Sequence, residues 1–274
     1  MIAVLRAGPL LTAQDAGRPG LAHLGVPPSG AADRQSYDLA NALVGNAPGT
    51  ACLEATLGGS ALRLDPPAVV AVTGAEADAH LDGSPLPLGE ARDGALLELG
   101  PCRSGVRAYI AVRGGVDVEP VLGSRSHDQL TGLGPPPFRD GDIVPVGRPG
   151  PERCQTPSRC PTPVGETLTV VPGPRADWFT LDGLVSTAWR ISPASNRIGT
   201  RLEGPPLERL RTDELLSEGV VTGAIQVPPS GLPIVLGPDH PTTGGYPVIA
   251  VVRGSDLRLA GQLAPGATVR FRLE

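Results

Sequence analysis

The sequence predicts a mainly β protein made of two barrel-like or sandwich-like halves with a few short helices, and three observations carry that expectation. The 37 Gly and 32 Pro among 274 residues cut the chain into short pieces. Apolar, β-branched runs recur between those breaks every 10 to 15 residues or so, the spacing of strands in an all-β fold. The pentapeptide Val-Pro-Pro-Ser-Gly occurs twice, at 26–30 and at 227–231, once in each half, as two related half-domains facing a shared cleft would require. The predicted halves are 1–147 and 166–274, separated by a polar, Pro-rich linker at 148–165.

In the first half, Ile2 to Leu5 reads as an opening strand that ends at Gly8-Pro9. Gln14, Asp15 and Arg18 follow within five residues. On an extended backbone Gln14 and Arg18 share one face and Asp15 takes the other; the group reads equally as a site or as a solvated loop with an internal Asp-Arg pair. Tyr37, Ala40, Leu43 and Val44 have helical spacing, with Asp33 as N-cap and Gly45-Asn46 as a stop. Preceded by Ser29 and Gly30, that helix N-terminus is a seat for an anionic group, unless Asp33 is a cap and nothing more. Strands are then expected at Val69 to Thr73, Ala95 to Leu99, Ala108 to Val112 and Ile143 to Val146, with a hairpin turn at Asp82-Gly83. Arg107 and Arg113-Gly114-Gly115 bracket one of these strands, which places both guanidiniums at a sheet rim.

The second half opens with Leu168 to Val171, and Pro174 starts a short turn that delivers Trp178-Phe179 to a core. Between Ser195 and Glu203 an extended backbone puts Ser195, Arg197, Arg201 and Glu203 on one face across Gly199. Two guanidiniums separated by a residue without a side chain form an open fork for a carboxylate or phosphate, or else a solvent-facing charged strand. A short helix is expected from Thr212-Asp-Glu to Gly219. The strand Leu232 to Leu236 delivers Pro-Ser-Gly on one side and Asp239, Thr242, Thr243, Gly244, Gly245 and Tyr246 on the other, a loop chemistry of hydrogen-bonding groups and close backbone approach. Val269, Phe271 and Leu273 alternate with Arg270, Arg272 and Glu274 in a closing strand with one wet face.

Composition removes several function classes. All 23 basic residues are arginine, so no Walker-type phosphate loop, Schiff-base amine or covalently attached biotin can reside on this chain. The net charge of −5 without a clustered basic face argues against nucleic acid and anionic membrane as partners. No run approaches about 18 apolar residues and no signal-peptide plan opens the sequence, so a cytoplasmic protein is expected. Cys52, Cys102, Cys154 and Cys160 lack zinc spacing and His23, His80, His127 and His240 are scattered; no metal is expected.

Five segments together resemble one family: Gln14-Asp15-x-Gly17-Arg18, Ser29-Gly30-Ala31-x-Asp33, Ser195-Asn-Arg197-Ile-Gly199-x-Arg201-Leu-x-Gly204, Gly223-Ala-Ile-Gln226-Val-Pro-Pro-x-Gly231 and Thr242-Thr-Gly-Gly-Tyr246-Pro. The family includes the C-type subunit of 5-oxoprolinase and is also called biotin-dependent carboxyltransferase-like or allophanate hydrolase subunit 2-like. The resemblance implies two cyclophilin-like β-barrel domains. It also implies partner subunits of the 5-oxoprolinase B and A types, which with this chain open the lactam of 5-oxoproline to glutamate at the expense of ATP held here or on a partner. Two other activities come with it: carboxyl transfer to a small amide such as urea, with biotin arriving on another protein, or non-catalytic binding of a partner related to a sensor-kinase inhibitor. In the family a threonine usually follows Leu122-Gly-Ser-Arg125-Ser, where His127-Asp128 stands here, and the next glycine-rich segment is reduced to Gly132-Leu-Gly134.

On this reading Gln14, Arg18, Ser29, Gly30, Ser195, Arg197, Arg201, Gln226, Thr242, Thr243, Gly244, Gly245 and Tyr246 bind substrate, while Asp15, Asp33 and Asp239 are the candidates for proton transfer. Arg197 and Arg201 hold an anion, Gln226 and Thr243 orient the amide, and the Gly244 and Gly245 amides face developing oxyanion charge.

Overall fold

The structure is a computed structural model that describes residues 1–86, 88–151 and 165–274. The chain divides into two compact units, Met1–Arg18 with Ser29–Pro163, and Pro19–Pro28 with Val164–Glu274. Residues 152–164, most of the expected linker with Cys154 and Cys160, lie outside the described residues.

The first unit is a curled sheet with one helix. Its elements are β1 (Ile2–Arg6), β2 (Leu10–Gln14), α1 (Arg34–Leu43), β3 (Cys52–Thr56), β4 (Ala61–Leu64), β5 (Ala68–Leu81), β6 (Ser84–Pro85), β7 (Leu88–Ala91), β8 (Ala95–Val112) and β9 (Ile143–Val144). They form one nine-stranded sheet along β2-β3-β8-β4-β1-β9, with β5 pairing to β6, β7 and β8. The expected strands at Ala95–Leu99 and Ala108–Val112 are therefore a single 18-residue strand. It bends in its middle: residues 95–98 pair with β4 and residues 107–110 with β3, while β5 follows it through three register shifts. Gly74 lies at the first shift with φ 94°, and a Cβ there would stand 2.4 Å from the Arg107 carbonyl oxygen. A larger residue cannot sit where the two long strands close on each other.

Alternation fills the core. Leu11 and Ala13, Leu53 and Ala55, and Leu62 and Leu64 all turn inward. Helix α1 covers the other face of the sheet with Tyr37, Ala40 and Val44, as its spacing predicts, and Tyr37 meets Tyr109 edge-on at 6.4 Å between ring centroids. The turn at Asp82-Gly83 has φ 48° and 77°, both in the left-handed region, as a two-residue hairpin demands.

The second unit closes. Its elements are β10 (Thr167–Pro172), α2 (Leu181–Ser186), β11 (Trp189–Ile191), β12 (Gly199–Glu203), β13 (Glu218–Gly219), β14 (Ala224–Gln226), β15 (Ile234–Leu236), β16 (Thr243–Gly244), β17 (Val248–Val252), α3 (Leu257–Ala260) and β18 (Thr268–Leu273). Seven strands form a closed barrel, β10-β17-β14-β15-β12-β11-β18, sealed by the parallel β10–β18 pair, and β13 with β16 makes a separate two-stranded ribbon. In β18, Val269 and Phe271 point inward and Arg270 and Arg272 outward, as the alternation predicts. Trp189 is wholly buried and donates its indole N–H to the Leu184 carbonyl at 2.9 Å, so the core aromatic leaves no polar atom unpaired.

One expected element does not form. Thr212 to Ser217 is irregular, and Glu218–Gly219 is strand rather than helix end. The Arg209 guanidinium donates to the carbonyls of Arg211 and Asp213 and lies 5.4 Å from the Trp178 ring. Those carbonyls are thus taken up by a side chain anchored on the core aromatic, where a helix would have offered them to its own amides.

Candidate functional site

In the first unit the sequence-predicted residues converge on the segment after β8. β2 ends at Gln14, and the Gly17 amide donates to Asp15 Oδ1 at 2.7 Å, closing a tight side-chain turn. The chain does not stay extended, so Gln14, Asp15 and Arg18 do not alternate between faces; all three are buried against residues 121–128. Gln14 Nε2 donates to the His127 carbonyl at 3.1 Å. Arg18 Nη1 donates to Ser29 Oγ at 3.0 Å and Nη2 to the Ser126 carbonyl at 2.5 Å. Ser29 Oγ in turn donates to Asp128 Oδ2 at 2.6 Å. The result is a buried chain Arg18–Ser29–Asp128 with charge at each end and a hydroxyl between.

Asp15 carries four donors. Gly17 N–H, Ser124 O–H and Ser126 O–H reach Oδ1, and Arg125 N–H reaches Oδ2 at 2.6 Å. A carboxylate so committed holds a loop; it has few lone pairs left for a substrate proton. Asp33 is the N-cap of α1, accepting from Ser36 N–H at 3.1 Å and Ser36 O–H at 2.6 Å. The expected seat for an external anion at this helix start is therefore filled by the protein's own carboxylate.

Backbone geometry around Ser29 is tight. Ser29 has φ 53° and Gly30 φ 86°, and a Cβ on Gly30 would sit 2.8 Å from the Gly17 amide nitrogen. The glycine serves close packing of two backbone segments. The second copy of the pentapeptide keeps only the glycine in that conformation, Gly231 at φ 75°.

Sequence reasoning missed the residues that organise this cluster. Asp128, treated as a departure, anchors Ser29 and also accepts from Thr131 N–H at 2.6 Å, while His127 Nδ1 meets the Pro135 carbonyl at 3.0 Å. Ser124, Ser126 and Asp128 alternate, which was the available signal for a polar edge facing one way. Glu54 and Tyr109 were also missed. Tyr109 O–H donates to Glu54 Oε2 at 2.9 Å and accepts from Asp33 N–H at 2.8 Å, and Glu54 lies 3.4 Å from Arg107 Nε. Arg107 is buried in this network and is not at an open rim. Burial and the neighbouring Glu54 carboxylate push the Tyr109 hydroxyl well above its usual range.

In the second unit the open guanidinium fork does not exist. Asn196 Oδ1 accepts from the Ile198 and Gly199 amides, turning the chain before β12 starts. Arg197 consequently points inward and Arg201 outward. Arg197 Nε and Nη2 donate to Asp239 at 2.7 and 3.0 Å, with both side chains 1% exposed or less. That pairing also commits Asp239, the third proton-transfer candidate. Ser195 Oγ accepts from the Arg201 amide at 3.0 Å. Gln226 Nε2 donates to the Tyr246 carbonyl at 3.1 Å, and a Cβ on Gly244 would stand 2.5 Å from that nitrogen. The Thr242 carbonyl accepts from Val220 N–H at 3.1 Å, and Thr243, Gly245 and Tyr246 are exposed beside the β13–β16 ribbon. Among the described residues no group of three His, Cys, Asp or Glu side chains could hold a metal ion, and no helix is long and apolar enough to cross a membrane.

The model of the carboxyltransferase domain, subdomains A and B, matches residues 24–273. The chain belongs to the carboxyltransferase family. Within the family it is 37% identical to the C-type 5-oxoprolinase subunit of Escherichia coli, over 99% of this chain and 90% of that protein. It is 32% identical to the urea amidolyase of Saccharomyces cerevisiae, over 93% of this chain but 16% of that protein. Among solved structures, TTHA0988 superposes with a TM-score of 0.88 at 36% identity, over 99% of this chain and 55% of that one. The urea amidolyase of K. lactis superposes at 0.87 and 30%, over 98% and 18%. The chain thus spans about half of one solved relative and under a fifth of the other, with the same mainly β architecture in each.

Proposed function

We propose that the chain is the C-type subunit of a cytoplasmic, ATP-dependent 5-oxoprolinase assembly that, with B-type and A-type subunits, hydrolyses the lactam of 5-oxo-L-proline to L-glutamate. The observation that carries this reading is the similarity to the C-type 5-oxoprolinase subunit of E. coli along nearly the whole of both chains. A chain without lysine offers no Walker-type grip on a γ-phosphate, so the nucleotide is assigned to a partner. Asp15, Asp33 and Asp239 all have their oxygens committed to protein donors, which supports a role for this chain in binding and orienting the amide. Thr243 and Gly245, exposed beside Gln226 and Gly244, are the groups placed to meet a small amide, with backbone N–H groups suited to developing oxyanion charge; Arg201 supplies an exposed cation.

The test is ATP-dependent release of glutamate from 5-oxoproline by this chain alone and mixed with B-type and A-type partners. Turnover in the complete mixture alone is expected. Turnover unaffected by Arg201→Ala and Thr243→Ala in that mixture removes the residue assignment while leaving the subunit reading intact.

Carboxyl transfer is the second reading, favoured by the urea amidolyase relatives. It requires biotin on another protein, so avidin-sensitive activity with a small amide and no glutamate release would select it.

A further inference from the structure

The partner of Arg201 expected from sequence, Arg197, turns inward, and the ladder register gives Arg201 a different one. Ser192 N–H donates to the Arg201 carbonyl and Arg190 stands opposite Glu203, so Arg190 and Arg201 are diagonal neighbours on the outer faces of β11 and β12. Arg190 is also opposite Thr268 in β18, which makes Arg270 its diagonal neighbour on the other side, and Arg272 follows two residues along the same strand. Diagonal cross-strand neighbours lie about 7–8 Å apart, and alternate residues of a strand about 7 Å apart. Arg201, Arg190, Arg270 and Arg272 therefore run as one oblique line across three adjacent strands of the closed barrel.

All four are exposed. Among the described residues none has a carboxylate within 4.0 Å; the one hydrogen bond from their side chains is Arg272 Nη2 to Thr169 Oγ1, at 3.1 Å. Glu203 and Glu166 adjoin the line without forming an ion pair with it. The chain as a whole carries −5 and its sequence shows no clustered basic face. The ladder nevertheless gathers four exposed guanidiniums, with Glu203 opposite Arg190 as the one carboxylate among the described residues facing them across a strand pair, so positive charge is in excess along this line. Like charges at this spacing repel one another modestly, and a partner of opposite charge relieves that repulsion while it gains contacts.

We propose that this line docks an acidic protein segment, a stretch of Asp and Glu side chains lying across β12, β11 and β18. A carboxylate-bearing chain suits it because each guanidinium presents a planar fork that carboxylates meet at two points. Duplex nucleic acid is disfavoured by the acidic remainder of the protein, which repels a phosphate backbone running beyond four contacts. The inference shares only Arg201 with the 5-oxoprolinase reading, and its test at Arg190, Arg270 and Arg272 leaves that residue untouched, so the two stand or fall separately.

The experiment uses the full chain and a fluorescent decaglutamate peptide in 100 mM NaCl, with a 20-base-pair DNA duplex as the second probe. Saturable one-to-one binding of the peptide is expected, weakened at least tenfold in R190E/R270E/R272E. The exposed control R139E should stay within twofold. Unchanged thermal midpoints keep the comparison valid, and single variants R190E and R270E, each expected to lose threefold or more, serve if the triple variant fails to fold. No peptide binding, equal binding by the variants, or tighter binding of the duplex would each overturn the proposal.

Discussion

Arg197 and Asp239 meet through two hydrogen bonds of 2.7 and 3.0 Å with both side chains almost wholly out of water. They join the turn before β12 to the turn after β15, and the backbone repeats the tie where Asp239 N–H donates to the Arg197 carbonyl at 3.2 Å. Removing one partner leaves the other charge buried without its counter-ion, a loss of about 3–5 kcal/mol. Arg197→Ala and Asp239→Ala should each lower the urea midpoint of the second unit strongly. The double variant Arg197→Ala with Asp239→Ala should cost clearly less than the two single losses added, because neither charge is then left buried alone. A double variant that costs the full sum of the two singles would show that the pair is not coupled.

Asp15 sets up a sharper contrast between holding and catalysing. Its carboxylate gathers Ser124, Arg125 and Ser126. Asp15→Asn keeps the shape but replaces one acceptor oxygen by a donor, so about 1–3 kcal/mol of stability should go. Exchange of the Arg125 amide proton should accelerate with it. Loss of turnover in an assembled complex with neither change would instead mark Asp15 as a base.

How far the sequence reached can be judged from these residues. Periodicity exposed α1, the inward Val269 and Phe271 and the Asp82-Gly83 hairpin, because each depends on neighbours within a few positions. Spacing failed at Arg197 and Arg201, where the Asn196 side chain turns the backbone before the strand begins. It failed again at Asp128 and Glu54, whose partners Ser29 and Tyr109 lie 99 and 55 residues away. A local pattern carries no information on contacts that the sheet order alone creates.

Alkaline pH should unfold the protein. Burial raises the Cys102 thiol from 9.0 to about 11 and lifts Cys52 and Tyr109 well above their usual ranges. A folded-state pKa above the unfolded one gives stability that is complete below about pH 9 and fades as the pH climbs toward the folded value. The urea midpoint should hold between pH 7 and 8.5 and fall by pH 10.5. Cys52→Ala and Tyr109→Phe should each flatten that fall even where they lower the midpoint at pH 7. A midpoint indifferent to pH up to 10.5 would show that these groups titrate alike in both states.

Two glycines of the second unit should respond to alanine in a fixed order. A Cβ at Gly237 would stand 2.1 Å from the Arg197 carbonyl oxygen, and one at Gly244 would stand 2.5 Å from Gln226 Nε2. The first obstacle is backbone already fixed by the Arg197–Asp239 tie, so relief requires moving the whole turn. Gly237→Ala should cost about 3 kcal/mol or more. The second obstacle is the end of a side chain that can swing away by giving up its bond to the Tyr246 carbonyl, a loss of about 1 kcal/mol. Gly244→Ala should therefore fold with a nearly native midpoint while releasing Gln226. On the proposal that Gln226 orients the amide, that release should lower kcat in a complete 5-oxoprolinase mixture while the fold is kept. A Gly244→Ala protein as unstable as Gly237→Ala would mean that Gln226 is held too firmly to swing, and that the β13–β16 ribbon is part of the barrel's stability.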